Sequence, residues 1–93
     1  MAEKAIFDKP ITFEDKEYTE FVLDFDGLSG KDMIAAEKET RLRGDNPPVL
    51  ELNKTFQAIV AAKAAKVPTD MVLLLPAKEF TKVTLLAQSF LLN

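Results

Sequence analysis

The sequence predicts an α+β domain in which an N-terminal β-hairpin packs on about three α-helices. Three observations carry that prediction. Apolar residues alternate with polar ones at period 2 in the first quarter of the chain. From Gly27 onward they recur instead at the 3.6-residue spacing of helices. Gly44, Pro47-Pro48 and Val67-Pro68 fall where the helical pattern breaks. With 93 residues the chain makes one domain, residues 1–93, able to build a thin core without help.

The hairpin is expected over about residues 5–25. In ITFEDKEYTEFVLDF, Ile11 and Phe13 alternate with polar neighbours. A polar stretch from Glu14 to Glu17 follows, and then Phe21, Leu23 and Phe25 alternate with Glu20, Val22 and Asp24. That pattern gives a strand with one buried face. Asp15-Lys16 is a weaker turn signal than Asn-Gly, so the turn type stays open. Pro10 suits the start of an edge strand, because it donates no ladder hydrogen bond. A lone two-stranded hairpin is marginal in water, so its apolar face must lie on helices.

The first helix is expected over about 30–43. Ser29-Gly30-Lys31-Asp32 fits a capping box, and Gly44 stops the helix after Lys38, Arg41 and Arg43 at the negative end of its dipole. Its narrow apolar stripe, Met33 and Ala36 with Ile34 and Leu42 beside it, places it on the outside. The second helix is expected over about 49–66, with Val49, Leu52, Phe56, Ile59 and Val60 as core stripe. Ala58, Ala61, Ala62 and Ala65 lie opposite, where helix propensity accounts for them and close helix packing is the other reading. Thr69 or Asp70 caps a helical turn over about 69–74. Pro76 opens the last helix, over about 76–92, where a missing N–H costs nothing.

Composition narrows the function classes. The absence of His and Cys removes the commonest general base, the commonest metal ligand, thiol nucleophiles and disulfides. Net charge is −3, with one Tyr and no Trp, which argues against nucleic-acid binding. The three glycines are too scattered for a phosphate loop. Asp24 and Asp26 in DFDGLSGKD fail the calcium-loop pattern, with Ser29 at the sixth position and Ala35 at the twelfth. Only a pocket joining Asp24, Asp26 and Arg41 would reopen an enzymatic reading. Arg43-Gly44-Asp45 reads as a helix stop and turn. No catalytic, cofactor or metal residue is therefore assigned. A membrane span is not expected, since Pro76, Lys78, Glu79 and Lys82 interrupt the apolar C-terminal stretch. The opening MAEKAIFDKP lacks the features of a signal peptide, so the protein is expected to stay in the cell that makes it, and the absence of Cys fits the cytoplasm.

The last helix poses the main question. Phe80, Val83, Thr84, Ala87, Phe90 and Leu91 share one face. Leu85 and Leu92 lie about 120–140° away from Phe80, and Leu86 flanks the main face on the other side. Either this helix is central, or Leu85, Leu86 and Leu92 form a partner-binding surface.

The order of parts resembles a known family. ITFEDKEYTEFVLDF is followed by GLSGKDMIAAEKE, then by FQAIVAAKAAKVP, and the chain closes with LLLPAKEFTKVTLLAQSFL. This is similar to the small tail assembly chaperones of contractile-tailed phages and prophages. Asp32, Glu37, Leu75, Pro76, Phe80, Val83, Phe90 and Leu91 stand at matching places. Glu79 takes the family's acidic place, although between Lys78 and Lys82. The resemblance covers almost the whole chain and implies a non-enzymatic protein of the bacterial cytoplasm. Such a protein coats the tape measure protein before the tail tube forms, then leaves; a longer, frameshifted form often accompanies it. Homo-oligomer formation along the client is part of the same expectation. The alternative is a small structural or adaptor protein of a phage tail or another assembly.

Overall fold

The computed structural model describes residues 3–93. Its elements follow in the order β1 (Glu3–Phe13), β2 (Lys16–Leu23), α1 (Gly30–Leu42), α2 (Lys54–Ala65), α3 (Thr69–Leu73) and α4 (Ala77–Leu92). The predicted α+β architecture is present: an antiparallel hairpin packs on three longer helices and one short one.

β1 begins earlier than the Ile11/Phe13 alternation indicates. Ala5 and Phe7 are buried, and Phe7 meets Phe21 edge-on at 5.0 Å between ring centroids. The register runs regularly from Glu3↔Leu23 to Ile6↔Glu20 and resumes at Ile11↔Tyr18. The four residues Phe7–Pro10 therefore face Thr19 alone. Pro10 sits inside this bulge and does not start the strand; a ladder irregularity is where a residue without an N–H fits. The turn is the two-residue loop Glu14-Asp15, closed by Phe13↔Lys16, with φ of 50° and 63°. Both residues are left-handed, as a type I′ turn requires, yet neither is Gly or Asn. Replacing them by Asn-Gly is expected to raise stability by roughly 1 kcal/mol, read as a higher urea midpoint at unchanged m-value.

After β2, Phe25 begins a 3₁₀ turn, Phe25–Gly27, which Asp24 caps by accepting from the Gly27 N–H at 3.2 Å. Phe25 is buried and stacks on Phe90 of α4, centroids 4.9 Å apart and planes 12° apart. The Asp24 N–H reaches the Ala64 carbonyl at 3.0 Å, tying the strand end to the last turn of α2.

The capping box at α1 forms as expected. Asp32 accepts from the Ser29 N–H at 2.8 Å, and Ser29 Oγ accepts from the Asp32 N–H at 3.4 Å. The Ser29 N–H holds the Asp32 carboxyl below its ordinary range, with Lys63 adding a smaller pull. Gly44 adopts φ 96° and the Asp45 N–H closes back on the Thr40 carbonyl, which ends the helix.

α2 starts later than predicted. Val49 and Leu52 are largely exposed and fall outside the helix, Leu52 in a 3₁₀ turn over Leu50–Leu52. Asn53 accepts from the Phe56 N–H at 2.8 Å and starts α2 as its N-cap. A strong capping side chain in extended backbone outweighed the apolar spacing that ran through it. The helix ends on Lys66 in the left-handed region, with the Val67 N–H bonded to the Ala62 carbonyl. At α3 the N-cap is Pro68, so neither Thr69 nor Asp70 caps that turn.

α2 is the centre of the molecule. Ala58, Ile59, Val60 and Ala61 are fully buried in succession, which leaves it no solvent face over that turn. α1, α3, α4 and β2 all pack against it. The alanines are thus contact surface, and the close-packing reading holds over propensity alone. Gln57, also fully buried, donates to the Glu51 carbonyl at 2.9 Å and to Gln88 Oε1 at 3.0 Å. Lys54 Nζ donates to Thr84 Oγ1 at 3.0 Å, so polar contacts line the α2–α4 seam.

Candidate partner-binding face

With α2 central, α4 is left peripheral. Its inner face is the one the spacing predicts: Val83, Thr84 and Ala87 are buried, and Phe80, Phe90 and Leu91 are partly buried against the core. Leu85 and Leu92 stand on the opposite crest, 51% and 55% exposed. They contribute little to the domain's own core. Leu86 is partly buried and forms a wall between two grooves.

The first groove lies between α4 and β1. Lys4, Ala5, Ile6, Lys82, Leu85 and Leu86 line about 430 Å³ of open space. Ile6 is 63% exposed, because strand alternation sends it outward while Ala5 and Phe7 face the core. Val22, also exposed, is the cross-strand partner of Lys4 and shares the outer face with Ile6. An apolar surface thus runs from the outer face of the hairpin to the crest of α4. The second groove, about 640 Å³, is lined by Glu3, Phe25, Asp26, Leu86, Ser89, Phe90 and Asn93, with the Phe25–Phe90 stack among its lining.

A polar network clamps β1 to the first two turns of α4. The Asp8 N–H, freed from the ladder by the bulge, donates to Glu79 Oε2 at 2.9 Å. Lys82 Nζ donates to the Ile6 carbonyl at 2.9 Å and to Asp8 Oδ1 at 3.2 Å and forms an ion pair with Glu79 Oε1 at 3.0 Å, and Lys78 also pairs with Asp8. Glu79 is 4% exposed and forms a buried latch between α4 and β1. The Asp8 N–H, then Lys82, hold the Glu79 carboxyl below its ordinary value of 4.5; Lys78, then Lys82, hold Asp8 below 3.8. Glu79, then Asp8, raise Lys82 above 10.5.

Two depressed acids stabilise the fold fully above their unfolded values and lose that contribution as pH falls through the lower folded values. The raised lysine contributes below its unfolded value and loses its share as pH rises through the higher folded one. The latch is therefore intact between roughly pH 5 and 10. In a urea midpoint series from pH 7 to pH 2, Asp8→Asn with Glu79→Gln is expected to start below the wild type and to fall less. Parallel curves would show that the latch contributes no acid-linked stability.

Other sequence candidates have local structural roles. Asp24 is a cap, and a Cβ on Gly27 would come within 2.7 Å of its carboxylate. Arg41 is engaged with Glu37 and Asn46 on the exposed side of α1 and does not line either groove beside Asp24 or Asp26. Arg43 pairs with Glu39 at 3.0 Å and Asp70 at 3.4 Å, which makes Arg43-Gly44-Asp45 a helix end tied to α3. Among the described residues, no group of three or more His, Cys, Asp or Glu side chains is placed to hold a metal ion, and no helix is long and apolar enough to cross a membrane.

Exposure alone does not single out α4, since Ile34, Leu42, Leu52 and Leu74 are exposed elsewhere. What sets the α4 face apart is that Leu85 and Leu86 line one groove together with Ile6. Sequence reasoning placed Val22 in the outward phase of β2 but assigned neither it nor Ile6 to a partner surface. Their signal was the outward phase of the alternation whose inward phase holds Ala5, Phe7, Phe21 and Leu23. No family model, curated protein or solved structure matches the chain.

Proposed function

We propose that the chain is a non-enzymatic assembly chaperone of a phage tail, acting in the bacterial cytoplasm, and that the α4 face binds the tape measure protein during tail morphogenesis. The observation that carries this reading is the exposure of Leu85 and Leu92 on a helix crest flanked by an apolar groove, outside the domain's own core. An amphipathic helical client lays its apolar side chains into such a surface. The resemblance in the order of sequence motifs is what supports the tape measure protein as that client.

Magnitudes favour many weak contacts over one strong one. Fully covering two leucines contributes about 3–6 kcal/mol, and these two are already half covered. Association costs about 4–15 kcal/mol in lost freedom. A single copy therefore binds weakly, and an array of copies along one long client holds it through avidity. Weak single contacts also allow release when the tail tube closes on the client.

The test is a tagged pull-down from the native cells after prophage induction, with mass spectrometry of the bound proteins and of finished particles. A long, helix-rich partner in the pull-down, with this chain absent from the particles, supports the proposal. Recovery of the chain in finished particles would point instead to a structural adaptor. Cells that make tails while the chain captures no such partner would overturn the chaperone reading.

A further inference from the structure

We draw no further inference here: the strongest candidate, the apolar groove between β1 and α4 lined by Lys4, Ala5, Ile6, Lys82, Leu85 and Leu86, belongs to the partner face already described, and nothing in the structure shows what else covers it.

Discussion

Leu85→Glu combined with Leu92→Glu is expected to leave the domain folded and, on the proposed function, to abolish capture of the partner. Both side chains are about half exposed on the crest of α4, where substitutions normally change stability by no more than about 0.5 kcal/mol each. Circular dichroism and the urea midpoint should stay close to those of the wild type. Capture is expected to fail because two carboxylates on the apolar crest would have to be desolvated against the proposed client without partners. Ile6→Glu extends the test across the groove, and the same loss is expected if the surface is continuous. Leu74→Glu is the control: Leu74 is 73% exposed and does not line the groove, so its variant should bind normally. If the double variant unfolds, Leu85 and Leu92 belong to the core and the proposed face is wrong. If it folds and still captures the partner, the face lies elsewhere.

Ala61→Leu destabilises the domain by about 1–3 kcal/mol or more. Ala61 has no exposed surface, and α2 is enclosed by neighbouring elements. Three extra heavy atoms must displace a packed neighbour or push a helix outward. Were the alanine face of α2 present only for helix propensity, the change would be close to neutral, since leucine is nearly as good a helix former. Ala35→Leu on the exposed side of α1 is the matched control and should stay within about 0.5 kcal/mol. Ile59→Ala sets the scale from the other direction, by removing volume from the same helix at a cost of about 2–5 kcal/mol. Urea unfolding at constant m-value reads all three. A neutral Ala61→Leu would show that α2 is not enclosed as described.

The contrast between these experiments marks how much of the site was legible. The periodicity of α4 separated Leu85 and Leu92 from the inner face correctly, because one helix's faces follow from 100° per residue alone. It left open which helix is central. That depends on how the faces of four helices and a hairpin pair, and α2 and α4 are both apolar over wide arcs. Alanine decided it: small side chains on α2 let its neighbours approach from several directions. The apolar stripe from Val49 through Leu52 misled for a related reason, since spacing records which residues would align in a helix and not where the chain begins one. Asn53 did that, through a hydrogen bond spanning three residues.

By itself the sequence determined what is held by neighbours along the chain. The Ser29–Asp32 capping box, the stop at Gly44, the opening of α4 after Pro76, the buried face of β2 and the outward phase of Leu85 and Leu92 all arise within a few residues. Only the tertiary structure decided what joins distant segments. The Asp8 N–H, left out of the ladder at the Phe7–Pro10 bulge, meets Glu79 across 71 positions, and Ile6 comes to line one groove with Leu85. Nothing in either segment specifies the other. Their pairing follows from enclosing α2, which buries apolar surface whatever the order of the residues that supply it, and so it became visible only in the folded chain.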